Sequence, residues 1–119
     1  MKNEFVDNEL LYRAVLRTPN YIKENGTLTS LVFKDKKGLS TDRACDRDKQ
    51  ECIKYLLSRL NGFAVSFSVN ICRELDINVK HDPIPENIYH TLVTKSSSEL
   101  QLSDSQAKHL ARNAVIESH

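Results

Sequence analysis

Phe63-Ala64-Val65-Ser66-Phe67-Ser68-Val69 alternates large apolar residues with small ones at a period of two. A run of this kind is a strand, with Phe63, Val65, Phe67 and Val69 on one face and only small residues on the other. A chain holding such a strand must build a sheet and cover its heavy face with apolar elements. The small residues on the opposite face let a helix pack closely.

The rest of the chain supplies those elements. Leu10 to Leu16 reads as a first strand, with Leu11, Arg13 and Val15 on one side and Leu10, Tyr12, Ala14 and Leu16 on the other. A strand apolar on nearly both faces belongs inside its sheet. Arg13 is the exception and needs a carboxylate, a carbonyl or an anion. Thr27 to Phe33 reads as a second strand, closed by the turn over residues 34–38. Leu39-Ser40-Thr41 is then extended, so residues 28–41 are expected as a hairpin or an irregular β-segment. A helix is expected from about 47 to 60, where Ile53, Leu56, Leu57 and Leu60 recur at helical spacing. Asp46 or Asp48 can cap its start, and Asn61-Gly62 stops it.

After the Phe63 strand, one or two helical turns are expected over residues 70–75, capped by Ser68 or Asn70. Ile77 and Val79 mark a brief strand, residues 82–85 an extended crossover, and residues 87–94 another strand. The serine tract at 95–99 reads as a flexible linker. Ser103-Asp104-Ser105-Gln106 has capping-box spacing and opens a helix over 104–116. Ala107, Leu110, Ala111, Ala114 and Val115 would form its apolar stripe. Two solid helices among clustered strands predict a single α+β domain over 1–119 with a mainly antiparallel sheet. Residues 1–8 read as a solvated leader.

Composition excludes several classes. The 119 residues have room for one core. A 39% apolar and 28% charged chain with formal charge +1 calls for neither a nucleic-acid nor a membrane partner. The longest apolar runs fall far short of a membrane span. Acidic residues stand near the N-terminus where a signal peptide needs an apolar segment, so a cytoplasmic protein is expected. Cys45, Cys52 and Cys72 match no common zinc spacing and read as free thiols, so no metal and no cofactor is expected.

Two stretches are dense in functional groups. In residues 33–43, Ser40, Thr41 and Arg43 follow a Gly38 turn and could hold a phosphate or carboxylate. The favoured reading is structural: Arg43 pairs with Asp42, Asp46 or a sheet carboxylate, and Ser40 and Thr41 serve turns. In residues 81–93, Pro83 and Pro85 stiffen the approach to Asn87 and His90. His81, Asp82 and His90 could hold a metal only if that segment bends. His90, on a face with Ile88 and Leu92, reads first as a buried neutral imidazole with a carbonyl or carboxylate partner, and second as a general base. Lys34, Lys36 and Lys37 form a charged turn tip. No nucleophile elbow or phosphate-binding glycine pattern is present.

Leu11-Tyr12-Arg13, Phe33-Lys34-Asp35 through Gly38-Leu39-Ser40-Thr41-Asp42-Arg43, and His81-Asp82-Pro83-Ile84-Pro85-Glu86-Asn87-Ile88-Tyr89-His90 together resemble a family of small, poorly characterised bacterial proteins. The likeness runs from about residue 10 to residue 93 and ends in a similar helix. It implies a bacterial origin and places Arg13, Ser40, Asp82, Asn87 and His90 near one another. It brings no established activity.

Two functional classes follow. One is a small binding or accessory module recognising a protein partner or an anionic ligand through Arg13, Ser40, Arg43, Asp82, Asn87 and His90. The other is a compact enzyme acting on a phosphate-bearing or nucleotide substrate, with Arg13 or Arg43 clamping the anion and His90 as acid/base. The binding module stands ahead, and oligomeric state is left open.

Overall fold

A computed structural model describes residues 4–118. Its centre is a six-stranded antiparallel sheet built from β1 (Leu10–Val15), β2 (Leu39–Arg43), β3 (Phe63–Ser68), β4 (Asn78–His81), β5 (His90–Thr94) and β6 (Val115–Ser118). The strand order is β4-β5-β2-β1-β3-β6, and every neighbouring pair is antiparallel. The helices are α1 (Lys49–Arg59), α2 (Val69–Glu74) and α3 (Asp104–Asn113), with one 3-10 turn at Ser30–Phe33. The chain is thus a single α+β domain.

The alternation of β1 and β3 decides the layering. Leu11, Val15, Phe63, Val65 and Phe67 join one core cluster, covered by the 3-10 turn, α2 and α3. Tyr12 and Ala64 join a smaller cluster with Cys52 and Leu56 of α1. The small residues of β3 therefore admit α1 closely, as their size predicts. Helix α1 starts at Asp48, whose carboxylate accepts from the Glu51 N–H. Gly62 follows α1 where the chain presses on β1: a Cβ there would lie 2.1 Å from the Val15 carbonyl oxygen. No other residue fits that approach.

Helix α3 carries the expected capping box between Ser103 and Gln106. It packs chiefly on the 3-10 turn, and Ala107 and Leu110 are fully buried in the larger core. Truncating Leu110 to alanine should cost about 2–5 kcal/mol.

Four expectations change. Residues 27–33 are not a strand: Leu28 makes an isolated bridge to Ile22, and Ser30–Phe33 winds into the 3-10 turn that buries Val32 and Phe33. The β-branched and aromatic residues that suggested a strand are spent on tertiary packing, so residues 28–41 form no hairpin, and β2 pairs with β1 and β5. Residues 82–89 are a hairpin loop rather than a crossover, because β4 and β5 pair directly. Within it Ile84 and Asn87 exchange backbone hydrogen bonds, so β5 begins at His90 rather than 87. Last, α3 ends at Asn113, and Val115 leaves the helix for β6. β-branched Val115 and Ile116 satisfy β3 better than one more helical turn.

Two smaller features refine the picture. The Lys95–Glu99 stretch, expected as a flexible linker, closes a turn in which Ser96 accepts from the Ser98 and Glu99 N–H groups. Of the expected leader, residues 1–3 lie outside the described residues. Glu4, Val6, Asp7 and Asn8 are exposed, but Phe5 and Glu9 are docked.

Candidate functional site

Strand β2 sends Asp42 and Arg43 to opposite faces, because consecutive residues on a strand alternate. Arg43 is paired in register with Leu11 and is only 2% exposed. Its guanidinium makes a two-point contact with Glu9: Nε to Oε2 at 2.8 Å and Nη2 to Oε1 at 2.9 Å. Nη2 also donates to the Glu4 carbonyl at 2.8 Å, and the Phe5 ring lies 4.0 Å from the guanidinium carbon. The partner is a carboxylate from the N-terminal stretch, not Asp42 or Asp46. Glu9 accepts the Cys45 N–H as well, so the pair pins the leader to the end of the sheet.

Asp42 points toward α1. Its Oδ1 accepts from Asn87 Nδ2 at 2.7 Å, and its other oxygen binds Arg59 of α1. Asn87 is buried, and its own oxygen accepts the Tyr89 N–H at 3.0 Å. Tyr89 lies under Arg47, whose guanidinium carbon is 3.5 Å from the ring centroid. Tyr55 of α1 meets Tyr89 edge to face and donates to the Glu86 carbonyl. The two dense stretches do meet here, since Arg43 N also donates to the Tyr89 carbonyl. What they build is a clamp between α1 and the hairpin loop.

The remaining site candidates lie elsewhere. Arg13 donates to the Val32 carbonyl at 2.9 Å and the Ser40 carbonyl at 3.0 Å, so it ties the 3-10 turn to β2. Burial pulls its guanidinium down from the ordinary value, with Asp35 opposing. The Ser40 side chain is exposed on the other face. The hairpin brings Asp82 back onto His90: the imidazole Nδ1 lies 2.9 Å from the Asp82 carbonyl oxygen and 3.1 Å from its Oδ2. A carbonyl only accepts, so Nδ1 carries a proton. No hydroxyl or thiol among the described residues bonds the His90 ring. Arg13, Ser40, Arg43, Asp82, Asn87 and His90 thus fall into separate networks on two faces, and of the six only Arg43 lines either of the two larger concavities described next.

Two concavities were not legible in the sequence. The first, about 670 Å³, opens where β2 turns into α1. Its rim is the turn Ala44–Arg47, closed by Arg47 N donating to the Ala44 carbonyl. Both central residues are left-handed and neither is glycine: Cys45 has φ 49° and Asp46 φ 65°. Such backbone persists only where the surroundings impose it, and Glu9 does so through the Cys45 N–H. The charges of this cavity are matched, with Glu4, Glu9 and Asp46 against Arg43, Arg47 and Lys49. On its floor burial, with Cys52 and Glu117 beside it, pushes the Tyr12 hydroxyl up to about 12. The Cys52 thiol is also raised by burial, and Cys72, in the opposite core, is pushed up to about 12. Neither is a thiolate nucleophile at neutral pH.

The other is a groove of about 980 Å³ beside β6, between α3 and residues 23–31. Leu28, Leu31, Ala111 and Ile116 give it an apolar floor, and Lys23, Lys108 and Arg112 stand around it. Among the described residues no acidic side chain lines it. None of the three cations makes a salt bridge among the described residues. Lys108 and Arg112, one turn apart on α3, were the one part of this site that helical periodicity could have exposed. Lys23 joins them only through the fold of the 23–31 loop.

Among the described residues no group of three or more His, Cys, Asp or Glu could hold a metal ion, and no helix is long and apolar enough to cross a membrane. Compared with known proteins, the chain matches no family model, no curated protein and no solved structure.

Proposed function

We propose that this protein is a cytoplasmic binding module that recognises an anionic partner in the groove beside β6. The observation carrying the reading is the one-signed lining there: three cations without a salt bridge and, among the described residues, no acid around an apolar floor, in a chain whose net charge is only +1. Arg13, Arg43, Asn87 and His90, by contrast, already hold protein partners. A partner that presents apolar and acidic groups side by side would fill the floor and neutralise the rim. The enzyme reading draws support only from the Asp82–His90 pair, an oriented imidazole. The arginines it needs as anion clamps bind Glu9 and backbone carbonyls instead. The bacterial origin implied by the family resemblance remains part of this proposal.

The test is a titration of the ¹⁵N-labelled protein with a capped peptide of two Thr-Val-Thr-Glu repeats. Shift changes should concentrate in residues 23–31 and 108–116. Replacing Lys23, Lys108 and Arg112 by glutamine should weaken binding by about tenfold, a loss of about 1.4 kcal/mol. Equal binding by the glutamine variant, or shifts confined to the hairpin loop at 82–89, would overturn the reading.

A further inference from the structure

The groove lies directly against β6, the last strand of the sheet, and among the described residues no strand pairs with its outer side. An outer strand exposes backbone N–H and C=O groups that can template another strand. β6 is short and its register against β3 shifts once, between Ile116 and Ser118, but Val115–Ser118 holds neither proline nor lysine and Val115 is 53% exposed. The opposite edge differs, since Phe5 of the leader lies beside Val79 and His81 of β4, and Lys80 stands exposed on that strand. We infer that the anionic partner is an extended protein segment that pairs with β6 as a seventh strand, carrying acidic and apolar residues on its groove-facing side. This rests on the reading of the groove given above and specifies its occupant.

The geometry follows from strand spacing. A strand added to β6 runs about 4.8 Å beyond it and sends alternate side chains to either face of the sheet. The groove lies on the α3 face, next to Ile116, so one parity of the incoming segment enters it. Apolar residues of that parity would cover Leu31 and Ala111. Acidic residues of the same parity would reach Lys23, Lys108 and Arg112. Backbone pairing would supply affinity, and the groove would select side chains.

A further copy of this chain fits less well. Pairing β6 with β6 in an antiparallel continuous sheet requires a two-fold axis normal to the sheet. That axis puts both α3 helices on the same face and brings two sets of groove cations together, which is repulsive. The one acid of β6, Glu117, is also engaged, accepting from Ser66 Oγ at 2.9 Å and lying 3.0 Å from Lys49 Nζ.

The experiment compares the Thr-Val-Thr-Glu peptide with two isomers N-methylated at alternate residues, each blocking one edge of the peptide. Strand addition uses one edge, so one isomer should bind as the parent does and the other about tenfold more weakly. Hydrogen exchange at outward-facing β6 amides should slow on binding. A Thr-Val-Thr-Lys peptide should not bind. If both isomers bind like the parent, and β6 amides stay unprotected, strand addition is overturned while the anionic groove stands. If methylation matters but the glutamine triple variant binds equally well, the charge reading falls and the acidic partner with it. No binding by the parent peptide at millimolar concentration overturns both. Concentration-dependent dimerisation of the protein alone, with β6 protected, would assign the edge to another copy of the chain and overturn the inference.

Discussion

The two halves of the sheet treat charge in different ways. Around β2 and β5, nearly every ion and amide has a partner: Arg43 with Glu9, Asp42 with Asn87 and Arg59, His90 with Asp82. Around β6, Lys23, Lys108 and Arg112 face a groove with no acid in it among the described residues. The β2–β5 region is rich in motif-like residues and spends them on holding the leader, the hairpin loop and α1 together. The β6 region is plain in sequence, and the three cations of its groove hold no salt bridge among the described residues. Density of functional groups along this chain therefore marks an internal network, and partners in space, not spacing in sequence, separate the two regions.

The strongest way to break this contrast is Arg43→Ala. Removing one partner of a buried pair leaves Glu9, only 8% exposed on its side chain, without its cation. The unfolding free energy should fall by about 3–5 kcal/mol, read from urea denaturation. A loss under about 1 kcal/mol would show that the pair is not a structural pin. Asn87→Ala comes next. It strips Asp42 of one donor and the Tyr89 N–H of its acceptor, so about 1–3 kcal/mol should be lost, and an unchanged midpoint would detach the hairpin loop from the network.

A pH series sharpens the same region. The His81 imidazole is held below its ordinary 6.5 by burial and by Arg43, with Glu9 and Asp82 opposing, and its Nδ1 has no hydrogen-bond partner among the described residues. Below about pH 6.5 the unfolded chain takes up a proton that the folded state resists, so stability present above that value is lost as pH falls. Wild-type protein should lose more stability between about pH 7.5 and 5.5 than His81→Gln does, and parallel curves would refute the assignment. The smallest effect belongs to the groove. Replacing Lys108 and Arg112 together by glutamine should change stability by no more than about 0.5 kcal/mol, because neither holds a salt bridge among the described residues. A larger loss in chemical denaturation would mean that these cations also serve the fold, and the contrast would fail.

Much of the architecture was readable without coordinates. The faces of β1 and β3, an aspartate cap for α1 (Asp48 of the two candidates) and the α3 capping box at Ser103 each follow from local rules: alternation, helical period and side-chain capping. The core at Leu11, Phe63, Leu56 and Leu110 follows from the same periods. That Arg13 would need carbonyl or anionic partners was also plain from its place on an apolar strand face.

What only the tertiary structure decided is partner choice. Glu9 adjoins a stretch that reads as a solvated leader, yet it lies 34 residues from Arg43 in sequence and binds it in the core. The Pro-x-Pro segment had two backbone solutions, extended or hairpin, and pairing of β4 with β5 selected the hairpin that puts Asp82 on His90. Residues 30–33 and 115–118 were set by what lay beside them, the α3 face in one case and β3 in the other. Propensity differences for such short segments amount to about 1 kcal/mol or less, and burial against a neighbour outweighs them. The groove has the same origin: its cations come from a loop and a helix that share no local signal, so their convergence exists only once the chain is folded.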